Sequence, residues 1–203
     1  MNLLSLIIHS PEMSDRACAE NFATKWSTAR VGIGTHLALQ EDSATDEFFL
    51  MEGRVISSIC DPDGKEVCVG FYVGPCVITP NIARTRNGVS LVSITATTDA
   101  TVARLNSDLL TKLMLSSEPV RDWANGILRK ALGQKADREW CLAALGGSDR
   151  LEWFRENFPG YEGFFNHALI ASFLGVTPVT LSRLRSENKR NDTSHRRSSS
   201  ASV

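Results

Sequence analysis

The chain has 203 residues, of which 42% are hydrophobic and 22% are charged. This composition is typical of a globular protein, and the length suffices for one large domain or two small ones, so a mainly disordered chain is excluded. No apolar run approaches the roughly 18 residues of a membrane-spanning helix, and residues 3–8 are too short for a signal peptide and lack the basic residues that precede one. We therefore expect a cytoplasmic protein without a membrane partner.

The net charge of −1 conceals an uneven distribution along the chain. Residues 1–110 carry 13 acidic and 8 basic side chains, whereas residues 181–203 carry 2 acidic and 6 basic ones. Because the surplus cations lie at the C-terminal end, we expect a negatively charged partner to bind there.

No sequence pattern indicates an enzyme or a metal protein. The chain contains no GxSxG, HExxH, P-loop or GxGxxG motif, and none of its four histidines has a partner at metal-ligand spacing. The five cysteines are odd in number and include no CxxC pair, so we expect reduced thiols, no metal and no cofactor. An alternative is redox or metal sensing by the series Cys60, Cys68 and Cys76.

The first predicted domain consists of β-strands. From residue 31 to residue 105, short apolar runs alternate with glycine, proline and asparagine, which favour tight turns. Many short strands at this spacing predict a barrel or a jelly roll. The predicted strands include residues 48–51, 55–59, 67–73 and 91–96, and the predicted turns lie at Gly53, residues 61–64, residues 74–75 and Asn87-Gly88.

After residue 105 the hydrophobic period changes to three and four residues. An apolar stripe of this period predicts a helix over residues 118–132, with Ser117 as its N-cap and Pro119 in its first turn. Because Trp123 belongs to the stripe, the stripe has to be buried. It packs either on the β domain or against its copy in a second subunit, and we favour the dimer for a helix that connects two domains.

Further helices are predicted between this helix and the C-terminal motif. Gly146-Gly147 ends a helix that contains Trp140, and Asp149 begins the next one as its N-cap. Residues 189–203 are rich in Ser and Arg and form a predicted disordered basic tail. The sequence thus predicts an α+β chain with a β domain (1–112), a connecting and dimerisation helix (113–135), a helical domain (136–188) and the tail.

Residues 167–186, with the sequence HALIASFLGVTPVTLSRLRS, match a helix-turn-helix. Ala171 is small enough for the second helix to cross the first, Gly175 makes the turn, and Thr177 can cap the second helix. An ordinary helical hairpin shows similar spacing, but it has no need of the basic residues found here. The predicted inner face consists of Ile170, Leu174, Leu181 and Leu184, with Val176 at the corner.

The outward face of the second helix predicts contact with double-stranded DNA. Its N-terminal half can enter the major groove, and the neighbouring basic side chains can neutralise phosphates. A rival hypothesis is a sensing module whose helical domain binds protein instead of DNA. The predicted DNA-binding residues are Thr177, Val179, Thr180, Ser182, Arg183, Arg185, Ser186 and Lys189.

This order of elements resembles the Crp/Fnr family of transcriptional regulators over residues 25–190. The resemblance is carried by a β domain with the hairpin sequence DPDGKEV, a long connecting helix and the terminal motif IASFLGVTPVTLSRLR. The TPxTLSRxR core looks most like the Crp-like subgroup in which this motif lies close to the end of the chain. The resemblance implies a sensor jelly roll of the cyclic-nucleotide-binding type, a homodimer, a two-fold symmetric DNA site and RNA polymerase as a further candidate partner.

The resemblance also implies a role for Arg183, because family members place a base-contacting arginine near the middle of the recognition helix. These relatives carry Arg and Glu early in the helix, whereas this chain has Pro178 and Val179. We therefore expect a different target sequence, with Val179 contacting a thymine methyl group.

The resemblance implies less about the effector. Cyclic-nucleotide binders hold the ribose with a glutamate and the phosphate with an arginine, but residues 67–98 include no acidic residue. A cyclic-nucleotide-responsive regulator is therefore the less favoured alternative, and we expect a degenerate or altered site for an unknown small-molecule effector. The candidate effector-binding residues are Arg84, Arg86 and Ser90.

Overall fold

The computed structural model describes Leu3, Ile7, Met13 and residues 15–187. The chain divides into two compact units, residues 1–136 and residues 137–203. The first unit contains the β-strands and the second is helical, so the predicted α+β fold class is confirmed.

The described β-strands all lie in the first unit. Helix α1 (Arg16–Ala23) comes before them, and the short helix α2 (Asn81–Arg84) lies between the sixth strand and the seventh. The described strands are β1 (Ser27–Val31), β2 (His36–Ala38), β3 (Asp46–Glu52), β4 (Arg54–Cys60), β5 (Glu66–Val73), β6 (Cys76–Val77), β7 (Thr85–Arg86), β8 (Val89–Ser90), β9 (Ser93–Ala96) and β10 (Ala100–Asn106).

Eight of the described strands form two four-stranded antiparallel sheets, with the orders β1-β10-β3-β6 and β2-β9-β4-β5, and β7 pairs with β8 in a two-stranded sheet. This arrangement is the predicted jelly roll. Gly53 turns the chain between β3 and β4 at a φ of +99°, and a Cβ there would lie 2.6 Å from the carbonyl oxygen of Asp99. Both sheets contribute to one hydrophobic core, which contains Leu37, Phe48, Leu50, Val55, Ile78, Val92, Ile94, Ala96, Ala100 and Val102.

A second core in the same unit buries Trp123, as the sequence predicts. Its ring lies 5.2 Å from the ring of Phe22 and 6.3 Å from that of Trp26, measured between centroids. Val120, one helical turn before it, is buried in the same cluster. This end of the apolar stripe therefore packs within its own unit, which is the alternative that the sequence analysis favoured less.

The helices after the sheets differ from the prediction in two ways. Helix α3 (Ser107–Ser116) was not predicted, and Asn106 caps it by accepting hydrogen bonds from the backbone N–H groups of Asp108 and Leu109. The helix predicted to end at residue 132 continues without a break as α4 (Glu118–Ala144) and includes the helix predicted around Trp140. Glycine in a helix interior costs only about 1 kcal/mol relative to alanine, so Gly133 does not end α4.

In the described part of the second unit, the end of α4 is followed by four shorter helices. Asp149 is not an N-cap, contrary to the prediction: Gly146 holds that position, and Asp149 lies in the first turn, where a carboxylate favours the helix dipole. The predicted tail, residues 189–203, lies outside the described residues. The four helices are α5 (Gly147–Asn157), α6 (Tyr161–Phe164), α7 (His167–Phe173) and α8 (Pro178–Glu187).

No single helix in the described part of the chain is long and apolar enough to cross a membrane. Helices α7 and α8 pass that test on length and composition only when they are counted together, and they are bent by 94°.

Candidate nucleic-acid interface

Helix α7 is the first helix of the predicted helix-turn-helix. The side chain of Asn166 caps it by accepting a hydrogen bond of 2.9 Å from the backbone N–H of Leu169. Ile170 and Leu174 are completely buried, as predicted for the inner face, and Ala171 at the predicted crossing point is completely buried as well. The ring of Phe173 packs on the Phe154 ring at 5.8 Å and holds the end of the helix.

The turn between α7 and α8 depends on Gly175. Its φ of +66° lies in the left-handed region, which side chains with a Cβ rarely adopt. The backbone N–H of Val176 then donates to the carbonyl oxygen of Ala171 at 3.0 Å. The two helices are bent by 94° at this turn, in agreement with the predicted helix-turn-helix.

Thr177 begins α8 as predicted. Its hydroxyl oxygen accepts a hydrogen bond of 3.1 Å from the backbone N–H of Thr180, which is the N-cap arrangement, and Pro178 follows as the first helical residue. Leu181 and Leu184 are buried and fix the inner face of the helix.

The opposite face of α8 is open to solvent. The side chain of Arg183 is 71% exposed, and Val179 is 79% exposed. The Nε atom of Arg183 lies 3.8 Å from a carboxylate oxygen of Glu187 on the same helix, a pair that solvent weakens. Of the other predicted DNA-binding residues, Thr177, Ser182 and Ser186 are exposed, Thr180 is half-buried, and Lys189 lies outside the described residues.

Arg185 is placed differently from the expectation for a DNA-binding side chain. It is only 15% exposed, and its Nε atom donates a hydrogen bond of 2.7 Å to Oε1 of Glu162. Its Nη1 atom also contacts Nε2 of His167. Because the guanidinium already pairs with the half-buried carboxylate of Glu162, Arg185 is placed to hold α8 in position.

Glu162 is central to this arrangement and was not predicted from the sequence. Its second carboxylate oxygen accepts a hydrogen bond of 2.7 Å from Nε of Arg155 on α5. Burial alone would raise the pKa of Glu162, but the hydrogen bonds and charges of Arg155 and Arg185 outweigh burial and lower it. The three residues lie on three different helices, so no local sequence pattern could have indicated the pairing.

Arg150 is a second positioning residue that the sequence did not indicate. Its guanidinium donates to the carbonyl oxygens of Leu142 and Leu145 at the end of α4, at 2.8 Å and 2.9 Å. It also donates to the carbonyl oxygen of Leu174 at the end of α7, at 3.0 Å. A cation at the C-terminal ends of two helices satisfies their free carbonyl groups and favours both dipoles.

The three candidate effector-binding residues do not form one open site. Arg84 is 1% exposed and donates to the backbone carbonyl oxygens of Thr79 and Asp46, although its Nη1 atom has no partner among the described residues. Ser90 is also buried, and its hydroxyl donates to the carbonyl oxygen of Val92 at 2.7 Å. Arg86 is exposed. An effector cannot reach Arg84 or Ser90 unless the surrounding strands open, so this geometry does not support the expected site.

The cysteines show no arrangement for metal binding. Within residues 15–187 and the three described residues before them, no group of three or more His, Cys, Asp or Glu side chains is placed to hold a metal ion. Burial raises the pKa of the Cys76 thiol to about 12, and Cys68 is buried as well. Of the proposed sensing series, Cys60 alone is exposed.

Comparison with known proteins gives structural matches only. No family model and no curated protein matches the sequence. Among solved structures, a CooA mutant from Carboxydothermus hydrogenoformans is similar with a TM-score of 0.70 and 17% identity, covering 94% of this chain and 85% of that chain. The c-di-GMP-responsive global regulator CLP of Xanthomonas campestris has a TM-score of 0.69 and 15% identity, covering 88% of this chain and 93% of its own.

FixK2 from Bradyrhizobium japonicum is a third match, with a TM-score of 0.68 and 16% identity, covering 82% of this chain and 86% of that chain. These three proteins are regulators of the Crp/Fnr family. Each match covers both the jelly roll and the helical unit, but at identities that establish the fold alone. The chain therefore has the fold of the Crp/Fnr regulators, with a jelly roll followed by a helix-turn-helix.

Proposed function

We propose that this protein is a sequence-specific DNA-binding transcriptional regulator. The observation that carries the proposal is the exposed face of α8, where Arg183 and Val179 project from a helix whose other face is held by buried Leu181 and Leu184. A helix presented in this way fits the major groove of B-DNA.

The side chains of this face suit base contacts. The planar guanidinium of Arg183 can donate two parallel hydrogen bonds to O6 and N7 of guanine, an interaction worth about 1–3 kcal/mol of discrimination. Val179 provides an apolar surface for a thymine methyl group. Thr177, Ser182 and Ser186 supply hydroxyl groups for phosphates or base edges, and Lys189 is the proposed phosphate contact beyond the described residues.

We further propose that the protein acts as a homodimer on a two-fold symmetric site in the cytoplasm, with RNA polymerase as a candidate partner. Two recognition helices have to lie about 34 Å apart to enter successive major grooves on one side of the duplex. Helix α4 has residues in both units, so a change in the jelly roll that moves α4 would alter the spacing of the two α8 helices.

The test is a selection of binding sites from random double-stranded DNA, followed by affinity measurements over a range of salt concentrations. We expect an enriched two-fold symmetric site and an affinity that falls steeply as salt rises, because phosphate contacts release counterions. Selection without enrichment, or an affinity that does not respond to salt, contradicts the proposal and favours the rival in which the helical unit binds protein.

A further inference from the structure

The first unit contains a pocket that lies apart from the interior of the jelly roll. Its volume is about 510 Å³, and its walls are helices α2 and α3, the first turns of α4 and the edge of the sheet. Typical sites for small molecules have volumes of about 300–1,000 Å³. The pocket is therefore large enough for a ligand of one or two rings.

Aromatic and aliphatic side chains provide most of the lining. Trp26 and Trp123 face each other edge to face, and Met114 and Ile127 add aliphatic surface from α3 and α4. Flat walls of this kind favour an aromatic ligand, because ring contacts add to the free energy of burying apolar surface.

The polar groups of the pocket indicate which functional groups its ligand carries. The indole N–H of Trp26 is buried and has no hydrogen-bond partner among the described residues, so a ligand that carries an acceptor can satisfy this donor. Glu47 also lines the pocket, is 7% exposed, and accepts a hydrogen bond of 2.8 Å from the backbone N–H of Asn81.

The charges at the pocket disfavour an anion. The carboxyl groups of Glu47 and Asp108 both lie in its lining, whereas its one lining cation among the described residues, Arg121, sits 3.8 Å from Glu118. A phosphate, such as that of a cyclic nucleotide, would meet two acidic groups and one cation that already has an acidic neighbour.

We infer that this pocket binds a small uncharged aromatic molecule that carries a hydroxyl group. The hydroxyl oxygen accepts from the Trp26 indole, and the rings lie between the aliphatic and aromatic walls. Part of the wall belongs to α4, so an occupied pocket stabilises one packing of that helix. Binding at this site does not depend on DNA binding by the second unit, and it is measured without DNA.

The test uses calorimetric titration of the full-length protein with 2-naphthol and with naphthalene. We expect saturable binding of 2-naphthol and an affinity for naphthalene about 3- to 10-fold lower, since naphthalene leaves the indole N–H unpaired. The substitution W26F removes this donor and keeps an aromatic ring. It should therefore remove most of the preference for 2-naphthol over naphthalene, whatever its effect on ring packing in the two complexes. An equal loss for both ligands would overturn the proposed role of the Trp26 N–H.

Two substitutions on α3 locate the binding site. T111W places a large side chain at a residue that lines the pocket, and K112W adds the same side chain to the next residue, which does not line it. We expect T111W to abolish 2-naphthol binding and K112W to preserve it. Equal binding by both variants, no binding by the unsubstituted protein, or displacement of 2-naphthol by cyclic AMP would each overturn the proposal. If the unsubstituted protein did not bind 2-naphthol and T111W lost self-association, the pocket would instead be a contact surface for a second copy of the chain.

Discussion

Glu162 and Arg185 are joined by a hydrogen bond of 2.7 Å between Oε1 and Nε, and both side chains are mostly shielded from water. Through the other carboxylate oxygen, Glu162 also binds Arg155 at 2.7 Å. One carboxylate therefore links α8 to α6 and α5. The exposed face of α8, including Arg183, takes its orientation in part from this link.

Replacing Glu162 with Gln should loosen α8. The substitution removes the negative charge between two arginines. We expect it to lower the free energy of local unfolding of α8 by about 1–2 kcal/mol. Charge-assisted hydrogen bonds contribute more stability than neutral ones, but the partial exposure of this pair reduces their strength. Hydrogen exchange at the amides of Leu181 and Leu184 measures the effect. E152Q, at an exposed residue of α5, is the matched control. Unchanged exchange in E162Q would show that the link does not stabilise α8.

The same link should make the stability of α8 depend on pH. The pKa of Glu162 in the folded protein is lower than its ordinary value of 4.5, so its contribution is complete above pH 4.5 and is lost as the pH falls through the lowered value. We therefore expect the stability difference between the unsubstituted protein and E162Q to shrink on acidification from about pH 7 to about pH 3.5. A difference that stays constant over this range would contradict the ion-pair interpretation.

Arg183 and Arg185 should have different effects on DNA binding although they are two residues apart. R183A removes the exposed side chain that we propose as the base contact, and it should reduce discrimination at one base pair of each half-site by about 1–3 kcal/mol. R185A removes an internal partner of Glu162 and should weaken binding to all sequences together while also destabilising α8. Competition assays with single-base variants of the selected site distinguish the two. If R185A changed the preferred base and R183A did not, the assignment of the two residues would be reversed.

Gly175 should be intolerant of a side chain. Its φ of +66° costs about 1–2 kcal/mol for a residue with a Cβ, and that Cβ would lie 3.2 Å from Nη1 of Arg150. We expect G175A to lower the free energy of unfolding of the second unit by this amount in urea titrations. G163A is the control, since a Cβ at Gly163 meets no atom within 4 Å and its φ is not positive. Equal stability of the two variants would show that the turn does not need glycine.

The cysteines should differ sharply in reactivity. Burial raises the pKa of Cys76 to about 12, so very little of this thiol is the reactive thiolate at about pH 8. Cys60 is exposed, and iodoacetamide should label it long before Cys76 in the folded protein. Peptide mass spectrometry measures both rates, and labelling in urea confirms that each thiol is present. Rapid labelling of Cys76 in the folded protein would revive the redox-sensing alternative.

The helix-turn-helix was predictable because its requirements are local. Gly175 has to supply a left-handed turn, Thr177 has to cap a helix that begins with Pro178, and buried leucines have to recur at helical spacing. Each of these requirements involves residues that are close together in the chain, so the sequence pattern alone indicates it. The turn at Gly53 and the change from strand to helix period after residue 105 were predictable for the same reason.

Other features depended on residues distant in the chain. The sequence could not show that α4 continues past Gly133, because one weak helix residue does not decide where a helix ends. It also assigned Arg84 and Arg185 to binding from their charge, whereas tertiary structure buries Arg84 against backbone carbonyls and pairs Arg185 with Glu162. Local periodicity thus determined the recognition motif and its exposed face. Only the tertiary structure decided which cations remain free to bind a ligand. The reason is that burial and ion pairing arise between segments that are distant in the sequence.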